Sequence, residues 1–117
     1  MSSTFNVEIE MHDKQALEKA CERLGIKIQE GSHKLYAGTE KGTGVFLPEW
    51  RYPVVIKESG TIAYDNYNGS WGKIEELNKL KAFYGAEKAK IEARKKGYTC
   101  FEKWNEQTKE IEVRIQI

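Results

Sequence analysis

Residues 5–28, FNVEIEMHDKQALEKACERLGIKI, decide the fold class. Phe5, Val7, Ile9 and Met11 alternate with Asn6, Glu8 and Glu10, the period of a half-buried strand. Asp13 then stands where a helix N-cap belongs. Ala16, Leu17, Ala20, Cys21 and Leu24 follow at helical spacing, and Gly25 is placed to close the helix. Ile26 and Ile28 alternate again as a second strand. A helix between two strands has to bury its apolar stripe on a sheet.

Working outward, residues 29–44 are weakly patterned. Gly31, Gly38, Gly42 and Gly44 read as a flexible stretch, with a short strand around Lys34–Ala37. Strand signals return at Val45–Leu47 and Pro53–Lys57, and Glu58-Ser59-Gly60 suits a hairpin turn leading to a return strand at Thr61–Asp65. From Lys73 to Lys96 the spacing is helical. Ile74, Leu77, Leu80, Tyr84 and Ile91 form one face, broadened by Phe83, Ala86, Ala89 and Ala93. Gly85 could divide or kink this helix, and Gly97 closes it. Tyr98–Trp104 and Ile111–Ile117 then read as an antiparallel hairpin around Asn105–Lys109, the last strand alternating Ile111, Val113, Ile115 and Ile117 with polar residues. The expected architecture is a single α+β domain over residues 1–117. It is a two-layer sandwich, a mostly antiparallel sheet with two helices on one face, ferredoxin-like or related.

A chain of 117 residues can build such a core without disulfide or metal. Charged residues are 32% and hydrophobic ones 39%, a globular rather than disordered balance. Lys and Arg number 19 against 18 acids, which argues against a protein that coats nucleic acid along its whole surface. Apolar runs are too short to span a membrane. The Met1–Phe5 start lacks the basic and apolar parts of an export signal, so the cytoplasm is the expected compartment. Cys21 and Cys100 are then expected to be reduced thiols. Asn68-Gly69-Ser70 fits the glycosylation acceptor pattern and reads as a turn.

The segment from Leu47 to Gly72 concentrates two of the three Trp, three of the six Tyr and both Pro. Trp50, Arg51 and Tyr52 precede Pro53; Tyr67 and Trp71 flank Asn68-Gly69. Rings in such a segment either close a small core beneath a loop or give a partner large contact area at low entropy cost. Both readings stand on the sequence. Asp65 beside this turn is expected to cap it with its side chain, as Asx residues do. The alternative is an enzyme pocket near Asp65 and Tyr67, where Asp65 or Glu49 would be a semi-buried acid. The second helix carries a local excess of base. Lys88, Lys90, Arg94, Lys95 and Lys96 would serve nucleic-acid contact, or would be a solvated face with cations near a helix C-terminus.

Dedicated chemistry finds little support. His12 and His33 form no short ligand motif with the cysteines, so no metal and no cofactor are expected. Cys21 lies on a buried stripe, where a thiol behaves as a small hydrophobe. Thr39–Gly44 departs from the phosphate-binding loop pattern and reads as a flexible loop.

Pro53–Ile56, the turn Tyr64–Gly72 and the helix end Ala86–Tyr98 together resemble domain-of-unknown-function family 1257, which includes a small hypothetical protein of plastid and cyanobacterial genomes. The resemblance implies an α+β domain of similar length and brings no reaction, substrate or catalytic residue. The expectation from the residues is a binding or accessory module without intrinsic catalysis. It would meet a protein partner through Trp50, Tyr52, Tyr67 and Trp71, with Arg51 as a polar anchor.

Overall fold

The computed structural model describes residues 10–108 and 110–117, and the backbone of residues 5–7. Strand β1 (Phe5–Val7) leads into helix α1 (Lys14–Leu24). A meander follows of β2 (Lys27–Lys34), β3 (Thr39–Phe46), β4 (Val54–Ile56) and β5 (Ile62–Tyr64). Helix α2 (Ile74–Lys95) and a terminal hairpin of β6 (Thr99–Asn105) and β7 (Glu110–Gln116) complete the chain. The fold is α+β. Glu8 and Ile9, part of the opening alternation, lie outside the described residues, and Met11 is buried beyond the end of β1.

Helix α1 begins at its punctuation, and both helices end at theirs. Asp13 Oδ1 accepts the Ala16 N–H at 3.0 Å. Gly25 and Gly97 take left-handed φ of 68° and 79°, and the residue after each donates back five positions, Ile26 to Cys21 and Tyr98 to Ala93. Gly85 does not divide α2, which runs unbroken for 22 residues. Residues in an α-helix advance by about 100° each, so buried Ala86 and Ala93 lie nearly opposite Leu77, Leu80, Tyr84 and Ile91. The helix therefore has two faces to bury. One joins α1 and the sheet, and β6 and β7 pack against α2 as a separate two-stranded sheet.

The main sheet has the order β1-β5-β4-β3-β2 and is antiparallel at every pairing. The two strands of the opening β-α-β unit thus stand at opposite edges. Among the described strands there is no parallel pair, and the main sheet is a meander closed by β1.

The stretch 29–44 departs most from expectation. It is a regular hairpin of two eight-residue strands, and Lys34–Ala37 contains its turn, closed by the Leu35 N–H to the Gly38 carbonyl at 2.7 Å. Gly31, Gly42 and Gly44 are strand positions, and Gly38 alone lies in the turn. Gly31 faces Gly42 across the pair, and a Cβ on Gly44 would stand 2.6 Å from the His33 ring. At Gly42 and Gly44 the missing side chains make room for neighbours, which removes the apolar alternation that marks a strand.

Register assigns the two faces. Val45 opposite Val54, and Ile56 opposite Ile62, join Leu17, Ala20, Cys21, Leu77 and Leu80 in the main core beneath the helices. Gly44, Val55 and Ala63 face the other way, where Leu35 and Tyr52 pack on them. Both cysteines are free thiols. Burial pushes the Cys21 thiol up to about 11, which suits a core residue rather than a nucleophile.

Candidate functional site on the helix-free face

The site is built where β3 leaves the sheet. The Trp50 N–H bonds the Leu47 carbonyl at 3.2 Å, closing a turn with Pro48 and Glu49 in its centre. Glu49 has φ 60°. With Pro at the second place, a turn of this hand normally reserves the third for Gly or Asn. The chain returns through Tyr67 and Asn68, at φ 47° and 53°. All three described non-glycine residues in the left-handed region thus belong to this one loop pair. Each such position costs on the order of 1–2 kcal/mol. The Arg51 N–H to the Trp71 carbonyl, 2.7 Å, fastens the two loops together, and the Trp71 N–H to the Asn66 carbonyl, 2.9 Å, closes the second.

The strain sets rings side by side. Trp71 is the hub. Tyr67 stacks on it at 4.9 Å and 22°, and Tyr36 and Tyr52 meet it at 5.2 and 5.6 Å. The Arg51 guanidinium lies 5.2 Å from its ring centre, a cation–π contact. Tyr52 roots the group on Leu35, Val55 and Ala63. The outer rings stay open, Tyr36 at 51% and Tyr67 at 38% exposure.

The expected contact residues therefore divide. Arg51, Tyr52, Tyr67 and Trp71 come together. Trp50 points into the helix side, where its Nε1 donates to the Lys73 carbonyl at 3.0 Å and its ring meets Tyr64 edge-on at 5.8 Å. A Cβ on Gly72 would stand 2.3 Å from that ring, so Trp50 lies directly on the Gly72 backbone and anchors the turn to the start of α2. Tyr36 was missed because it falls in the glycine-rich hairpin; the aromatic beside Leu35 was the available signal.

Asp65 does not cap the turn. It is fully buried, and neither carboxylate oxygen has a hydrogen-bond partner among the described residues. Asn66 takes the capping role, its Nδ2 donating to the Gly72 carbonyl at 3.3 Å. An open cleft of about 720 Å³ beside the turn is lined by Tyr64, Asn66, Asn68, Ser70, Lys73 and Glu75, and includes neither Asp65 nor Tyr67. Glu49 is exposed.

The basic residues of α2 are also divided. Lys90, 16% exposed, bridges Glu87 at 2.8 Å and Glu102 at 3.2 Å. Arg23 of α1 reaches the same two acids at 2.6 Å each, and lies over the Phe83 ring. Burial works to raise the Glu87 carboxyl, but Lys90 and Arg23 outweigh it and hold it below the ordinary range. The Arg23 hydrogen bond holds Glu102 low against its own burial, with help from Lys90. This four-charge group ties α1, α2 and β6 together. Lys88 stands 3.8 Å from Asp13, and Lys95 3.8 Å from Glu92. Arg94 and Lys96 are exposed.

A second cleft, of about 800 Å³, opens where α1 starts, between Lys14, Glu30, Thr43 and Lys57. Thr43 donates to Glu30 at 2.6 Å and Lys14 pairs with it at 3.1 Å. The Thr43 bond, against slight burial and with Lys14, keeps that carboxyl below the ordinary range. These polar groups satisfy one another. No described group of three or more His, Cys, Asp or Glu converges as a metal set would, and no described helix is long and apolar enough to cross a membrane. No family model, no curated protein and no solved structure matches the chain. The resemblance drawn from the aromatic turn and second helix carries no functional residue to it, so the site is read from its own geometry.

Proposed function

We propose that this domain is a cytoplasmic binding or accessory module, without catalysis of its own, that docks a protein partner on the aromatic ridge of its helix-free face. The observation that carries this reading is the hub of Trp71. Four rings and Arg51 are gathered by strained backbone, yet Tyr36 and Tyr67 remain open to solvent. Burial alone does not require them there, and exposed aromatic and Arg groupings are the usual material of binding hot spots. The ring faces suit an apolar side chain of the partner, and Arg51 suits an adjacent acid or carbonyl.

The test is affinity capture from native-host extract at low and high salt, with a nuclease-treated control. Wild type is run beside Tyr36→Ala/Tyr67→Ala and Arg94→Ala/Lys96→Ala, each checked for folding by circular dichroism. A salt-resistant protein lost only from the ring variant is the expected result. Capture that vanishes with salt or nuclease, and depends on Arg94 and Lys96, moves the function to nucleic acid. Capture unchanged by both variants removes the ridge from the account and turns attention to the cleft beside Asn66.

A further inference from the structure

The hairpin β6–β7 is a sheet of two strands, so β7 carries an edge with no strand beside it among the described residues. We propose that this edge pairs antiparallel with β7 of a second copy of the chain, about a two-fold axis at Val113. The two hairpins then form one four-stranded sheet. This inference is independent of the aromatic ridge.

Apart from its charged side chains the edge lacks the usual protection. Native edges are blunted by Pro, charges (Lys above all), bulges or shortness. The span Glu110–Gln116 contains no Pro, Gly or Lys, and its register to β6 runs without a bulge from Thr99 opposite Gln116 to Asn105 opposite Glu110. It also leaves apolar surface open, with Ile115 48% exposed.

Charge selects the occupant and the register. A two-fold axis normal to the sheet keeps each face on its own side, so the axis must pass through a residue. At Val113 it sets Glu112 opposite the second copy's Arg114, and Arg114 opposite its Glu112. Ile111 meets Ile115 on the other face, continuing the apolar side. Moved to Glu112, the axis would bring two carboxylates face to face; moved to Arg114, two guanidinium groups. Facing like charges destabilise a ladder and facing opposite charges stabilise it. Within one chain Arg114 Nε already lies 2.8 Å from Glu112, and both side chains are open to solvent. Pairing extends that contact into a ring of alternating charges. The β6 edge offers no equivalent. Glu102 and Lys103 lie on opposite faces there, so no two-fold sets one against the other, and Glu102 is already held by Arg23 and Lys90.

Sedimentation equilibrium of the full chain tests this. Wild type is expected to show a concentration-dependent mass approaching twice that of one chain. Glu112→Arg alone and Arg114→Glu alone each place like charges across the axis and weaken association roughly tenfold or more. An equimolar mixture of the two single variants restores complementarity and recovers the dimer, as does Glu112→Arg/Arg114→Glu within one chain. A wild type that stays monomeric at every concentration overturns the proposal. So do single variants that associate like wild type, or a mixture that fails to recover.

Discussion

The two faces of the five-stranded sheet meet the same need with different materials. Val45, Val54, Ile56 and Ile62 are covered by two helices bearing Leu17, Leu77 and Leu80, and the result is a closed, mainly aliphatic centre with Tyr84 within it and Trp50, Tyr64 and Phe83 at its margin. On the opposite face the floor of Val55, Ala63 and Leu35 is covered by Tyr52, with Trp71, Tyr67 and Tyr36 laid against it in turn. Helices interdigitate with a sheet and seal it. Rings laid edge to face cover area while leaving their own faces and polar tips available. The helix side is the closed one, and the ring side leaves aromatic surface open, as the proposed docking requires.

The contrast can be broken most sharply on the helix side. Leu80 is fully buried in the main core, so Leu80→Ala is expected to remove about 2–5 kcal/mol of unfolding free energy in urea. A loss under about 1 kcal/mol would mean that this face is not the tight one. Asp65 probes the seam between the faces. Its buried carboxyl group has no partner among the described residues, and leaving an acid group unpaired in the interior costs more than leaving an amide there. Asp65→Asn is therefore expected to raise the unfolding free energy in urea, by about 1–3 kcal/mol. A fall instead would show that the carboxylate is held by a partner.

A smaller effect is expected from the charge group that fastens α1, α2 and β6. Glu87 and Glu102 are both held below the ordinary carboxylate range, the first against its burial by Lys90 and Arg23, the second chiefly by Arg23. A folded pKa below the unfolded one gives stability that is complete above the unfolded value, about 4.3. It is lost as pH falls through the depressed values. Urea midpoints should hold from neutral pH to about 5 and drop below about 4. In Arg23→Gln the part of that drop owed to these two acids should be shallower. An equal drop in the variant would place the acid sensitivity in other carboxylates.

Legibility in the sequence followed the same division. The helix side was readable because aliphatic periodicity and caps are local. Asp13, Gly25 and Gly97 stand at the ends they signal, and Leu77, Leu80 and Tyr84 on the face their spacing predicts. The ring side was readable only in part. Arg51, Tyr52, Tyr67 and Trp71 were singled out by composition, and the structure brings them together. Trp50 was grouped with them because proximity along the chain cannot tell which side of a sheet a ring takes. The β2–β3 hairpin was hidden because its glycines answer to neighbours distant in sequence, His33 over Gly44 and the Ile56 carbonyl against Gly42. The fate of Lys90 likewise depended on Arg23 and Glu102, which lie on other elements.

The most direct test of the claim that the ridge is surface rather than core is the urea unfolding free energy of Tyr36→Ala/Tyr67→Ala, measured beside Leu80→Ala. Both rings lie at the rim of the Trp71 hub, and φ 47° at Tyr67 is itself a strained position. The account predicts a loss below about 1 kcal/mol for the double variant against several for Leu80→Ala. A double-variant loss equal to that of Leu80→Ala would contradict it and make the rings part of the core.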